Sequence, residues 1–281
     1  MKKTSLFMAA LCISAFALCG AEVQIKVALA GSSACQGYAT HLRPREMAAL
    51  KADKSAEHTF IYGWGEFIGN YFSSNVKILN FAISGRSTKT FLEQGDWAKL
   101  LKSKPDYILM TLGANDTPPK KQSTDIPTYK KNLKRFAADA KAIGAKMIFV
   151  TINQALTRSK DNKIVFFKHG PYVKGRIPYC QAMREVAKEL NLPCLELAEN
   201  QRKIYEAMGE KEAGALYCIR ATGKKDGSHT GKMDGSHTNK AGAELVAKII
   251  VSELLKSNSD LKKYAIDPKL TYPVKKAAAK K

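Results

Sequence analysis

Short runs of β-branched and apolar residues alternate with amphipathic stretches from one end of the chain to the other, and this alternation limits the folds open to it. Val23–Ala30 (VQIKVALA), Val76–Ala82 (VKILNFA), Tyr107–Leu112 (YILMTL), Lys146–Ile152 (KMIFVTI) and Cys194–Leu197 read as strands. Between them, Trp64–Phe72, Tyr129–Ile143, Tyr179–Leu190, Glu199–Met208 and Ala241–Lys256 read as helices. In the last, Leu245, Ile249 and Leu254 fall near one face. Strands this apolar must be buried on both faces, and strands separated by helices run parallel. The expectation is an α/β fold with a parallel sheet covered on both sides, in a single domain of a 281-residue chain.

The two ends stand apart from that domain. Lys2 and Lys3 precede an apolar run from Leu6 to Leu18, and Cys19-Gly20-Ala21 has the small-x-small pattern of a cleavage site. Residues 1–21 are therefore expected to be a signal peptide, 22–258 the folded domain and 259–281 a basic tail. This predicts an exported protein, periplasmic or extracellular. A lipoprotein attached through Cys19 fits less well, because Leu18 is bulky where a small residue is needed. No later stretch is long and apolar enough to cross a bilayer.

Beyond the leader lie four cysteines, Cys35, Cys180, Cys194 and Cys218, with no metal-site spacing among them. An exported chain makes one or two disulfides an expectation, with three full pairings open, although Cys194 fits equally well as a core thiol. The formal net charge of +21 suits either a solvated lysine-rich surface or attraction to a polyanion. No zinc-finger, helix-turn-helix or RNA-binding signature accompanies it, which turns the polyanion reading from nucleic acid toward acidic polysaccharide. Three insertions interrupt the pattern. They are the polar, basic Tyr38–Phe60, an expected surface loop at Asp161–Arg176, and residues 226–238, where DGSHT occurs twice at a spacing of eight.

In an open parallel sheet, ligands bind beyond the carboxyl ends of the strands. The first strand ends in Gly31-Ser32-Ser33, the second in Ser84-Gly85-Arg86-Ser87 and the third in Gly113-Ala114-Asn115-Asp116, while Asp234-Gly235-Ser236-His237 precedes the last helix. Singly, each is an ordinary turn. Together they meet the needs of acyl transfer: a hydroxyl nucleophile, a base, a group that orients the base, and donors for an oxyanion. Ser33, His237, Asp234, and the Gly85 N–H with the Asn115 amide fill those roles in order. The Ser33 N–H would be a third donor.

The order G-x-S, Gly, G-x-N-D and D-x-x-H resembles the blocks of SGNH/GDSL hydrolases. LAGSSA, GWGEF, SGRS, TLGAND and DGSHTNKAGAELVA, with Pro178–Tyr217, are similar to the rhamnogalacturonan acetylesterase family within that group. The resemblance spans most of residues 23–255. It implies a three-layer α/β/α sandwich of five parallel strands in flavodoxin-like order. It implies Ser33, Asp234 and His237 as catalytic residues, Gly85 and Asn115 as oxyanion donors, and no metal or organic cofactor. The implied activity is removal of acetyl groups from a plant-type, acidic polysaccharide. Acetylxylan esterase, lipase or thioesterase activity, and non-catalytic carbohydrate binding, are the alternatives.

Two features depart from the family pattern. Ser32 stands where an Asp usually precedes the nucleophile, which leaves Ser32 as a rival attacking residue. The first DGSHT copy offers Asp226 and His229 as an alternative dyad. The second copy is preferred, because only His237 leads into Thr-Asn-Lys-Ala-Gly and the terminal helix.

Overall fold

A computed structural model describes residues 24–38, 60–158, 164–165, 171–223 and 229–273, with side chains of 157–174 and 219–234 excluded. The expected signal peptide, most of the Tyr38–Phe60 insertion and the last eight residues lie outside the described residues.

Five strands form one sheet: β1 (Ile25–Ala30), β2 (Val76–Asn80), β3 (Tyr107–Met110), β4 (Lys146–Val150) and, after two short strands, β7 (Cys194–Leu195). The two short strands, β5 (Thr157–Arg158) and β6 (Ile164–Val165), pair only with each other. The sheet order is β2-β1-β3-β4-β7 and every pairing is parallel. Counted along this sheet, the order is that of doubly wound flavodoxin-like folds, with its topological switch between β1 and β3.

The helices lie on both faces. They are α1 (Thr88–Glu93), α2 (Asp96–Lys102), α3 (Ile126–Ala142), α4 (Pro171–Glu189), α5 (Leu197–Met208), α6 (Glu210–Gly214) and α7 (Lys240–Lys256). Successive strand residues point to opposite faces, so each strand feeds two cores. Val27, Leu29, Tyr107, Leu109, Ile148 and Val150 pack with α5 and α7. Ala28, Ala30, Ile108, Met110, Met147 and Phe149 pack with α1 to α4, through Phe91, Leu133, Phe136 and Met183. That double burial explains why the strands read as continuous apolar runs. Leu245, Ile249 and Leu254 of α7 are all buried, as expected, together with Val246, Ile250 and Val251.

Several elements differ from the sequence expectation. Trp64–Phe72 is two 3-10 turns, Trp64–Glu66 and Ile68–Tyr71, rather than one helix. The Glu66 carboxylate accepts the Gly63 and Tyr38 N–H groups, which closes the first turn tightly. Gly65 meanwhile packs so close to the Cys35 carbonyl that no side chain fits. The expected loop Asp161–Arg176 becomes helical at Pro171, and α4 continues through Pro178.

Residues 229–238 of the repeat form β9 (His229–Thr238), which pairs antiparallel with β8 (Tyr217–Gly223). The chain also does not leave the domain at 258. Ser259 caps a 3-10 turn at Asp260–Tyr264, Leu261 is fully buried, and Ile266 N–H donates to the Tyr71 carbonyl. The four described cysteines are free thiols, three of them buried.

Candidate active site

The loop after β1 turns tightly at Ser32, whose carbonyl accepts the N–H groups of Cys35 (2.9 Å) and Gln36 (3.0 Å). Ser32 itself is 4% exposed, while Ser33 at the crest of the turn is half-buried and reachable. Of the two adjacent hydroxyls, the more accessible is therefore the one matching the family position.

Three further loops are tied to this turn. Ile83 N–H donates to the Gly31 carbonyl, and Gln36 Oε1 accepts the Ser84 N–H, which brings the β2 loop against the β1 loop. Residues 83–86 form a turn closed by Arg86 N–H to the Ile83 carbonyl, with Gly85 at φ +81°. This is the left-handed region, which only glycine enters without strain. Around Gly85 there is open space, so backbone conformation and not crowding requires the glycine.

The β3 loop is locked to the β2 loop by a fully buried carboxylate. Asp116 accepts the Thr88 N–H at the start of α1, the Thr88 hydroxyl (2.5 Å) and the Thr124 hydroxyl (2.9 Å). Burial pushes the Asp116 carboxyl above the usual range, opposed by these same hydrogen bonds. Next to it, Asn115 Nδ2 donates to the Arg86 carbonyl (3.0 Å), and Asn115 Oδ1 accepts from Lys120 Nζ (2.8 Å). Arg86 is held in turn by an ion pair with the buried Asp96 (2.5 Å). Gly85 and Asn115 thus sit on two loops joined through Asn115 itself.

The C-terminal segment reaches the same edge through residues 62–64. Tyr62 N–H donates to the Thr238 carbonyl and the Thr238 hydroxyl returns a bond to the Tyr62 carbonyl, while Trp64 N–H donates to the Ala34 carbonyl. His237 is therefore linked to Ser33 through one short stretch of backbone.

How β9 delivers His237 follows from its pairing. Tyr217 pairs with Thr238, but Ile219 pairs with Met233. Two steps on β8 face five on β9, so three extra residues bulge out, and the bulge holds Asp234, Gly235, Ser236 and His237. In a regular strand, residues three apart face opposite sides. A bulge removes that restriction, and bulges commonly re-aim side chains beside active sites. Leu156 N–H, in the segment that leads from β4 into β5, donates to the Gly235 carbonyl (2.7 Å) and ties the bulge to that segment. Asn239 then caps α7 by accepting the Gly242 N–H.

The rival pair lies elsewhere. His229 pairs with Gly223 at the far end of the hairpin, several residues beyond the bulge. Asp226 lies outside the described residues, as do the side chains of Asp234 and His229.

The structure thus brings Ser33, Gly85, Asn115 and His237 to the carboxyl edge of the sheet beside the β1/β3 switch. A cleft of about 320 Å³ lies at the end of β2, lined by Gln36, Asn80, Phe81, Ile83, Asp96 and Lys99, and none of the four candidate residues lines it. A larger cavity of about 600 Å³ lies at the opposite edge, against the starts of β4 and β7, away from all four. No cluster of metal-ligating side chains occurs among the described residues. Sequence reasoning missed Asp116 as an anchor, and it missed Arg86 and Lys120 as partners of Asn115. Asp116 adjoins Asn115 in the G-x-N-D block, but nothing in the sequence near Lys120 marks it.

Residues 27–250 match the GDSL-like lipase/acylhydrolase family model. A probable rhamnogalacturonan acetylesterase, YesY of Bacillus subtilis (strain 168), is 28% identical over 172 residues, 59% of this chain and 75% of the relative. The rhamnogalacturonan acetylesterase RhgT of the same organism is 32% identical over 157 residues, 55% of this chain and 64% of that protein. Among solved structures, Bacillus subtilis YxiM superimposes with a TM-score of 0.61 at 21% identity, covering 83% of this chain and 57% of YxiM. A catalytic mutant of Axe2, an acetylxylan esterase from Geobacillus stearothermophilus, gives 0.57 at 15% identity, covering 85% of this chain and 96% of that one. These structural likenesses bear on the fold alone. With the family model matching 27–250, most of the sheet and all four sequence blocks, the chain belongs to the GDSL-like lipase/acylhydrolase family.

Proposed function

We propose that this chain is an exported serine esterase that removes acetyl groups from an acidic plant-type polysaccharide, with acetylated rhamnogalacturonan as the preferred substrate. The observation that carries the reading is the set of inter-loop hydrogen bonds that gathers Ser33, Gly85, Asn115 and His237 at one sheet edge. Names of two relatives support the acetylated substrate class. The formal charge of +21 supports an anionic main chain, because long-range attraction raises the encounter rate of a polyanion at low salt.

In this account His237 takes the proton of the Ser33 hydroxyl as Ser33 Oγ attacks the acetyl carbonyl. Asp234 orients the imidazole and balances its charge. The Ser33 and Gly85 N–H groups, with the Asn115 carboxamide, receive the negative charge that forms on the carbonyl oxygen. The tetrahedral intermediate collapses, and His237 returns the proton to the departing sugar oxygen. Water, deprotonated by His237, then attacks the acetyl-enzyme, releasing acetate and restoring Ser33. No step requires a metal or organic cofactor.

A serine-reactive phosphonate tests the reading directly. The expected result is a stoichiometric adduct on Ser33 that disappears in Ser33→Ala. An adduct on Ser32, or none on the folded protein, contradicts the assignment.

A further inference from the structure

We propose that Lys120 is a positioning residue for the oxyanion hole, its ammonium fixing and polarising the Asn115 carboxamide. The inference rests on the esterase reading above and names a part of the site that the sequence blocks do not contain.

An asparagine carboxamide presents a donor and an acceptor end of nearly equal size, and only its partners decide which way it points. Asn115 is keyed at both ends. The Arg86 carbonyl can only accept and faces Nδ2 at 3.0 Å, while the Lys120 ammonium can only donate and faces Oδ1 at 2.8 Å. A flipped carboxamide would set NH₂ against NH₃⁺ and oxygen against oxygen. Of the two Nδ2 hydrogens, Arg86 engages one and the other remains for an oxyanion. The cation on Oδ1 also draws electron density through the amide, which strengthens its N–H donors.

Lys120 is itself held. Its Nζ donates a second bond to the Ala114 carbonyl (2.9 Å), so it grips the backbone before Asn115 as well as its side chain. The same segment braces its neighbours, since Gln122 reaches the Gly85 carbonyl and Thr124 reaches Asp116. Burial and the nearby Arg176 guanidinium lower the Lys120 pKa, with Asp116 opposing them. An ammonium kept in so unfavourable a place, bonded to two groups of the G-x-N-D block, is consistent with a positioning role.

The test uses p-nitrophenyl acetate, a small neutral ester with no carboxylate to bind. Turnover is measured for wild type, Lys120→Met, Lys120→Gln, Lys120→Arg, Asn115→Ala and Asn115→Ala/Lys120→Met, each checked for folding by thermal unfolding. The expected result is a kcat loss of roughly 10–100-fold in Lys120→Met and Lys120→Gln, below the ~10²–10³-fold for removing a donor outright. KM should stay within about twofold, and Lys120→Arg should recover part of the loss. In the Asn115→Ala background, Lys120→Met should cost less than about twofold, because the two groups act as one unit.

Equal loss in both backgrounds would overturn the proposal. So would a loss carried by KM with kcat unchanged, which would make Lys120 a substrate contact rather than a positioning residue. Inactive wild type would refute the esterase reading and this proposal together, whereas active wild type with unimpaired Lys120 variants would refute only the positioning role.

Discussion

Replacement of Asp116 tests whether the Gly85 and Asn115 loops are held by one buried carboxylate. In the structure Asp116 is inaccessible and accepts from three donors, the Thr88 N–H, the Thr88 hydroxyl and the Thr124 hydroxyl. Asp116→Ala strands all three and opens a small void. At ~1–3 kcal/mol for each buried polar group left unsatisfied, and with two hydroxyls free to rotate, the loss is about 3–5 kcal/mol. Asp116→Asn keeps one acceptor oxygen and sheds the desolvation cost of a buried charge, so about 1–2 kcal/mol is expected. Equilibrium urea unfolding of the three proteins measures both values. In the folded state of Asp116→Ala, the Gly85 and Asn115 loops lose their shared anchor, and kcat on a small acetate ester should fall on the order of 10–100-fold. A loss under 1 kcal/mol with unchanged kcat in Asp116→Ala would refute the idea that this carboxylate sets the geometry of the hole.

Other consequences concern the bulge, the repeat and acid stability. Any Cβ at Gly235 would overlap the Leu156 carbonyl, so Gly235→Ala should displace the bulge and cost activity more than stability, read by kcat beside thermal unfolding. His237→Ala should lose on the order of 10³-fold or more in turnover, while His229→Ala, at the far end of the hairpin, should keep activity within about threefold. Burial alone would raise the Glu196 carboxyl, but hydrogen bonds from Arg184 at 2.6 and 2.9 Å hold it below the usual range. Its stabilising contribution is therefore present above the unfolded value near 4.3 and is lost as pH falls through the lower folded value. Arg184→Met should move the midpoint of acid unfolding upward, which a pH titration of the circular dichroism signal reads.

The sheet was legible because β1, β3 and β4 are buried on both faces, which leaves an apolar run with no polar alternation. The helices α1 and α2 were not recognised. They are short, and what starts α1 is Ser87 accepting the Thr90 N–H together with Asp116 from another loop. The hairpin was hidden for a different reason. Gly, Ser and Thr in the DGSHT repeat are turn formers in isolation, and only pairing with Tyr217–Gly223 makes the segment a strand. Similarly, local composition favours a helix at Trp64–Phe72, yet contacts of Gly63 and Gly65 with the β1 loop shape it into 3-10 turns.

At the candidate site, Ser33, Gly85 and Asn115 were visible in the sequence because each sits in a short block at a strand end. Their supports were not. Asp116 and Arg86 act through hydrogen bonds between loops 28 and 29 residues apart, and Lys120 folds back on its own loop to reach Asn115, which no local pattern records. Asp234 and His237 also needed the bulge. Spacing alone puts residues three apart on opposite faces of a strand, and the three extra residues on β9 lift that restriction.

Acetate release from acetylated rhamnogalacturonan, run beside acetylated xylan with wild type and Ser33→Ala, tests the central claim most directly. The account predicts release from the pectic polymer, faster at low salt, and its loss in Ser33→Ala. Release from xylan alone would contradict the acidic-substrate claim, and release that survives Ser33→Ala would contradict the nucleophile.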